Sequence, residues 1–346
     1  MKVKAYAAQN SKSPLAPFEL ERREVGAQDI LIEILYSGIC HSDIHQARSE
    51  WGPAMYPMVP GHEIVGRVVK VGKKVKRFKV GHIAGVGCFV DSCGKCPSCK
   101  DEDEQFCEKG AAFTYNGTEM DRKTPTQGGY ATHIVVKQDY ALKVGTDKNL
   151  ERIAPLLCAG VTTYAPLKRF GVKKGHKVAV VGLGGLGHMA VKLAKAMGAH
   201  VSVFSTSASK ESDAKKLGAK QFILTRDPST FAKHAGEFDF ILDTASANHD
   251  LNLYLSTLRR NGKMVLVGAP NEPCPVAAFS LIMGQKNLSG SLIGNLKETQ
   301  EVLNFCIKKK VFADVEVVDA SKINEAFERT IKSDVKYRFV IDAKTF

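Results

Sequence analysis

The chain has no apolar run of about 18 residues, the length a membrane-spanning helix needs. Its start, Met1-Lys2-Val3-Lys4-Ala5-Tyr6, has no apolar stretch of the kind a secretory signal carries. These absences lead us to expect a cytoplasmic protein with no membrane partner. Internal repeats and low-complexity segments are also missing, which excludes solenoid and linker architectures. The formal charge of +13 would suit a nucleic-acid binder. Yet the basic runs lack the alternating aromatics of a base-stacking surface. Lys70–Lys79 has five Lys, one Arg and a single Phe, and Lys308–Lys310 has no aromatic. Nothing resembles a reading helix or an RNA-recognition signature. The charge is expected to serve solvated faces and attraction for an anionic cofactor, with no nucleic acid bound.

What is present begins with nine cysteines. Without an export signal they favour metal binding over disulfides. Cys93, Cys96, Cys99 and Cys107 have the spacing C-x2-C-x2-C-x7-C. Four thiolates so close in sequence close a tetrahedral shell around zinc and leave no open position. This zinc should be structural, folding a polar loop that has no core of its own. A second set is dispersed: Cys40, His62 with Glu63, and Cys158. Two thiolates and an imidazole neutralise a zinc dication and leave a fourth position for water or substrate. Glu63 is a ligand when substrate is absent, or sits just behind the ligands, and Asp43 is a candidate partner for the other ring N–H of His62. Two zinc ions per chain are therefore expected. Cys88, Cys274 and Cys306 read as ordinary core or surface thiols.

A chain of 346 residues is long enough for two domains. Up to about residue 155 it is rich in strands and loops, with strand candidates at Ile30–Leu35, Ile64–Val71 and Ile134–Val136. After Pro155 short apolar runs alternate with helical segments: 177–181, 200–204, 222–224, 238–242 and 263–267, with helical stretches up to Met197 and at 213–217. That alternation predicts a doubly wound parallel sheet. A helix at 296–309 and a strand at 337–341 follow, in a tail too short to form its own domain. The expected division is 1–157 with 296–346, and 158–295. The fold class is α/β, a partly open β-barrel domain plus a Rossmann-type parallel sheet.

Gly182-Leu183-Gly184-Gly185-Leu186-Gly187 follows the run 177–181 and opens a helix. Gly182, Gly184 and Gly187 match G-x-G-x-x-G, in which the glycines permit a tight turn, close approach of a pyrophosphate and close helix–strand packing. The phosphates then meet free N–H groups at a helix N-terminus. The next strand runs into Ser205-Thr206-Ser207-Ala208-Ser209-Lys210, where an NAD site usually carries an acidic residue. Hydroxyls at Ser205, Thr206 and Ser207 with the cation of Lys210 suit a 2′-phosphate, so the expected cofactor is NADP(H).

Several longer stretches carry a family likeness: 38–45 (GICHSDIH), 61–66 (GHEIVG), the four-cysteine loop, 158–164 (CAGVTTY) and 182–187. Together they resemble the zinc-dependent medium-chain alcohol dehydrogenases over essentially the whole chain. Trp51-Gly52, Tyr56-Pro57, the hydroxyl loop with Lys210, and 337–339 (YRF) are similar to the cinnamyl-alcohol-dehydrogenase-like, NADP-dependent aldehyde reductases. The resemblance implies a GroES-like catalytic domain and interconversion of aldehyde and primary alcohol, by hydride transfer to a zinc-bound carbonyl. It implies that Cys40, His62 and Cys158 hold catalytic zinc with Glu63 nearby, that Ser42 passes a proton, and that His45 connects it to solvent. It places Thr162, Val267-Gly268-Ala269, Ser291 and Ile293 at the nicotinamide, Arg338 near the cofactor phosphates, and Trp51 and Met55 at the substrate pocket. A homodimer pairing near 288–292 is implied, with a tetramer as the other assembly. The rival readings are an NAD-dependent zinc polyol or secondary alcohol dehydrogenase, a zinc-bearing basic nucleic-acid binder, and a catalytically silent NADP sensor.

Overall fold

The strand Asp29–Gly38 (DILIEILYSG) is nearly continuous in apolar residues, as a strand buried on both faces should be. In the computed structural model, which describes residues 1–270 and 272–346, it is the centre of a seven-stranded sheet. Ile64–Val71 pairs along one side, antiparallel, with Ser37 opposite Ile64. The other side is shared: His133–Lys137 covers one half and Arg338–Asp342 the other. A chain segment just over 300 residues downstream thus lies beside the same strand end as Ile64. The sheet and its loops belong to the unit Met1–Cys158 with Gly294–Phe346; the second unit is Ala159–Ile293.

The first unit packs Ile39, Ile44, Met58, Val59, Tyr130 and Phe339 into one buried cluster. The N-terminal hairpin of Lys2–Ala7 and Ala16–Glu21 packs into the same cluster through Val3 and Leu20. Sequence patterning did not single out that hairpin, because the connection Ala8–Leu15 carries no two-residue turn signal. The helix Leu296–Lys309 starts at a capping box in which Asn295 accepts from the Glu298 N–H and Glu298 accepts from the Asn295 N–H.

The second unit is built on a six-stranded sheet whose pairs are all parallel. From edge to edge it runs Gln221–Leu224, His200–Ser205, Lys177–Val181, Phe238–Asp243, Leu258–Leu266 and Asn287–Gly290. The order reverses between Lys177–Val181 and Phe238–Asp243, which opens the crevice where such sheets bind dinucleotides. Phe204, Phe238, Ile241, Leu255 and Met264 form its core. One strand differs from the sequence expectation of 263–267. It begins at Leu258, because Arg259-Arg260-Asn261-Gly262 reads as a turn yet is carried in the ladder through a register shift, with Asn261 at φ +61°. Among the described residues, no helix is long and apolar enough to cross a membrane.

Candidate active site

Cys40 and His62 meet because paired strands deliver them to the same end of the sheet. Asp29–Gly38 runs out two residues before Cys40, and Ile64–Val71 begins two residues after His62. The Gly38 N–H donates to the Glu63 carbonyl at 2.9 Å and ties the two exits together. Cys40 then caps the helix His41–Ala47. Cys158 arrives through the short 3-10 turn Ala154–Leu157. Its sulfur lies 3.9 Å from that of Cys40. One donor atom each from Cys40, His62, Glu63 and Cys158 lies within 4.8 Å of the others, and all four residues are buried.

A single carboxylate organises both ligand-bearing loops. Asp43 is fully buried. Its Oδ2 accepts from the Cys40 N–H at 2.8 Å and from the Tyr130 hydroxyl at 3.0 Å. Its Oδ1 accepts from the Gly61 N–H at 3.2 Å and lies 3.0 Å from His62 Nδ1. An ionised carboxylate only accepts, so Nδ1 of His62 donates and Nε2 is left as the free electron pair. Burial works against the charged His62 ring, but Asp43 overrides it and raises the pKa well above the usual value. A thiol proton in the hydrogen bond between the Cys40 and Cys158 sulfurs holds the Cys40 pKa well down and that of Cys158 well up. A dication takes the place of that proton and of the charge on the ring. Among the described residues Glu63 Oε2 has no hydrogen-bond partner, and the other oxygen pairs with Arg338. A buried orphan carboxylate oxygen beside two thiols and a free imidazole nitrogen fits a zinc site.

The second cluster is a loop. Cys93, Cys96, Cys99 and Cys107 also place their sulfurs within 4.8 Å of one another, with Cys93 and Cys99 only half-buried. Backbone N–H groups of Lys95 and Cys96 point at Cys93 and lower its pKa to about 6. Burial pushes Cys99 up to about 12. Four sulfurs as the whole donor set among the described residues fit a closed zinc shell.

Around the first cluster, Ser42 Oγ is 3.6 Å from Cys40 Sγ. His45 lies one turn along the same helix, so both fall on one face. Its ring stacks on Trp51, centroid to centroid 4.7 Å, and hydrogen-bonds Glu50. Trp51 and Met55 are exposed. Arg338 is buried and committed to Glu63.

In the second unit the glycine-rich turn has the geometry its sequence suggests. Gly182 sits at φ +86°, and a Cβ on Gly187 would fall 2.2 Å from the Gly182 carbonyl oxygen. Gly184 caps the helix Gly185–Ala196, with Leu186 in its first turn. Lys210 Nζ donates to the Leu183 carbonyl at 3.1 Å, and burial lowers its pKa. The hydroxyl loop is folded on itself: Ser205 Oγ accepts from the Ser207 N–H, and Ser207 meets Ser209 at 2.9 Å. Thr162 Oγ1 and Ser291 Oγ are buried without hydrogen-bond partners among the described residues. These orphan hydroxyls and the glycine cradle fit a bound dinucleotide. Val267 and Gly268 both donate backbone N–H groups to the Asp243 carbonyl. Ala269 and Ile293 follow the ends of the last two strands, Leu258–Leu266 and Asn287–Gly290.

Sequence reasoning missed three residues that touch these sites. Tyr130 and Tyr115 close over Asp43 and His62, the latter ring stacked 5.7 Å from His62. A Cβ on Gly61, at φ +108°, would stand 2.6 Å from the Tyr130 ring, so a glycine is needed there, but that requirement does not name Tyr130 from the sequence. Arg226 donates Nε to the Thr206 carbonyl at 2.7 Å and puts a second cation at the hydroxyl loop. It comes from the end of the neighbouring strand, so no spacing rule connects it to Lys210.

Comparison with known proteins agrees with this geometry. Residues 26–146 match the alcohol dehydrogenase GroES-like domain and 185–308 the zinc-binding dehydrogenase family. The chain is 51% identical over 341 residues to an NADP-dependent alcohol dehydrogenase C of Mycolicibacterium smegmatis, covering 98% of this chain and 97% of that one. It is 50% identical to the aldehyde reductase YahK of Escherichia coli, covering 100% and 99%. Among solved structures, the cinnamyl alcohol dehydrogenase of Helicobacter pylori in complex with NADP(H) superposes with a TM-score of 0.93 at 46% identity, covering 99% of each chain. That of Sorghum bicolor gives 0.96 at 42%, covering 99% and 98%. The chain belongs to the zinc-dependent medium-chain alcohol dehydrogenases, in their cinnamyl-alcohol-dehydrogenase-like branch.

Proposed function

We propose that the protein reduces aldehydes to primary alcohols with NADPH, reversibly, at the Cys40, His62 and Cys158 site. The observation that carries this reading is the buried cluster of two thiols, one imidazole nitrogen freed by Asp43, and an unpartnered carboxylate oxygen of Glu63. Zinc, when bound there, supplies Lewis acidity toward a carbonyl oxygen, and NADPH supplies the hydride. Cys40, His62 and Cys158 hold the metal, and Arg338 holds Glu63 by its other oxygen. Ser42 delivers the proton that completes the alcohol, and His45, oriented by Glu50 and Trp51, exchanges it with water. Cys93, Cys96, Cys99 and Cys107 hold a structural zinc.

The glycines Gly182, Gly184, Gly185 and Gly187 with Leu186 receive the pyrophosphate. Ser205, Thr206, Ser207 and Lys210, joined by Arg226, receive the 2′-phosphate. Thr162, Val267, Gly268, Ala269, Ser291 and Ile293 line the nicotinamide. A homodimer is supported by the last strand of the sheet, Asn287–Gly290, which is paired on one side only. Close to it in sequence, Phe279, Ile282, Met283 and Leu292 are exposed. All nine cysteines are free, in keeping with a reducing compartment such as the cytoplasm.

The test is a panel of short aliphatic, branched and aromatic aldehydes with NADPH and with NADH, alongside metal analysis. We expect NADPH-dependent turnover and two zinc ions per chain. Turnover with NADH alone would replace the cofactor assignment, and absence of zinc at the first cluster would remove the mechanism. Light scattering checks the dimer, for which twice 37.7 kDa is expected.

A further inference from the structure

At the end of the strand Phe238–Asp243 the chain continues as the loop 244–250 before the helix Leu251–Thr257. The loop lies against the glycine-rich turn. Thr244 donates its N–H and its hydroxyl to the Val181 carbonyl at 3.1 and 2.8 Å. A Cβ on Gly187 would stand 3.2 Å from Thr244 Oγ1. Within the loop, His249 is clamped at both ring nitrogens. Nδ1 lies 2.8 Å from the Ala247 carbonyl oxygen, and Nε2 lies 2.8 Å from Asp243 Oδ2. A carbonyl and an ionised carboxylate only accept hydrogen bonds, so both ring nitrogens must donate. Only the doubly protonated imidazolium does that. The His249 side chain is 15% exposed and that of Asp243 3%, so the ion pair is largely shielded from water. Asp243 also accepts from the Ala245 N–H at 3.1 Å through its other oxygen.

We propose that His249, as an imidazolium, is a positioning residue for NADP(H): it pins the loop 244–250 to Asp243 beside the glycine-rich turn, and cofactor affinity falls as the ring loses its second proton. This rests on the assignment of the glycine-rich turn as the cofactor site. The titratable groups facing the ring are Asp243 on the strand, Asp250 at the helix start, and Tyr254, whose ring meets it edge-on at 5.3 Å. Burial pushes the Tyr254 phenol to about 12, so it stays neutral. The hydrogen bond to Asp243 raises the His249 pKa above its usual 6.5, against burial, with Asp250 adding to the rise. A raised histidine contributes fully below the ordinary value and loses its contribution as pH climbs through the raised one.

The experiment titrates NADPH fluorescence on the wild type and on His249→Gln between about pH 6 and about pH 9, a range that extends above the ordinary histidine value. The ratio of the two Kd values cancels the titration of every other group, including the cofactor phosphate. We expect the variant to bind about tenfold more weakly at the acid end, the order for one charge-assisted hydrogen bond. The ratio should decline toward one as pH rises. Ring 15N signals of the cofactor-free wild type should show His249 protonated on both nitrogens at the acid end and on one at the alkaline end. A flat ratio with tight wild-type binding overturns the positioning role alone; a wild type that fails to bind NADPH overturns the cofactor site with it. Thermal unfolding and zinc content check that the variant folds. Should it not fold, a wild-type ring singly protonated at the acid end overturns the proposal.

Discussion

The cluster of Cys93, Cys96, Cys99 and Cys107 brings together sulfurs at most 14 residues apart. In the other cluster the sulfurs of Cys40 and Cys158 are 118 residues apart. In the first, on a loop, Cys93 and Cys99 are only half-buried; the second is buried throughout, at the end of a sheet. Local spacing makes a site whose metal supports the fold, because four thiolates from one short segment tie that segment to itself. Long-range assembly makes a site whose shape is already supported by strands, so its metal is available for chemistry. The donor sets agree: four sulfurs close one shell, whereas a Cys2His set with a carboxylate leaves the other adjustable.

The largest effect expected from this contrast is at Cys158. Cys158→Ser should reduce kcat/KM by at least about a thousandfold, since the Lewis acid is lost or misplaced. Its unfolding temperature should stay within a few degrees of the wild type, because the strands hold the site. Steady-state kinetics and calorimetry together check this. Near-wild-type turnover in a refolded Cys158→Ser protein would break the ligand assignment.

Cys96→Ser should reverse the pattern. We expect loss of about one zinc per chain and a destabilisation of about 2 kcal/mol or more, with kcat largely kept in the molecules that remain folded. Metal analysis and thermal unfolding test it. A variant with normal stability would show that the loop does not depend on its metal, and the two clusters would no longer differ in kind.

The same contrast explains what sequence reading recovered. The four-cysteine spacing and the turn Gly182–Gly187 are local, and local geometry is fixed by local residues. The parallel sheet was legible because fully buried strands are short apolar runs set apart by helices. The strand Leu258–Leu266 was read short because a turn-like Asn261-Gly262 is carried inside the ladder. The inner cluster was legible only as a family pattern. Nothing in the spacing of Cys40, His62 and Cys158 states that Gly38 would bond Glu63 or that the tail strand would bring Arg338 to the same carboxylate. Tyr130 and Arg226 were unreadable for the same reason: each reaches its site from a different strand or loop.

Asp43→Asn should produce an intermediate effect. An amide replaces one acceptor oxygen with a donor, which opposes the N–H of Gly61 and His62 or that of Cys40 with the hydroxyl of Tyr130. Zinc affinity at the inner site should fall by about 10 to 100-fold, as for other residues that orient a metal-bound histidine. The four-cysteine site should keep its zinc. Competition with a chromophoric chelator, followed by metal counting, resolves the two ions. Equal release from both would show that Asp43 supports the whole unit rather than one cluster.

The smallest effect is expected at Cys88, which tests whether the inner donor set ends at four. Its sulfur lies 3.9 Å from the carbonyl oxygen of Leu157, the residue before Cys158, yet it is not among the donors that converge within 4.8 Å. A thiol there holds the Leu157 carbonyl just ahead of Cys158, and removing it costs one weak hydrogen bond, about 1 kcal/mol or less. Cys88→Ala should therefore keep two zinc ions and lose less than about threefold in kcat/KM. Loss of the inner zinc in Cys88→Ala would make Cys88 a fifth donor. The buried cluster would then have three thiols, nearly as closed as the loop cluster, and the chemical difference between the two sites would rest on Glu63 alone.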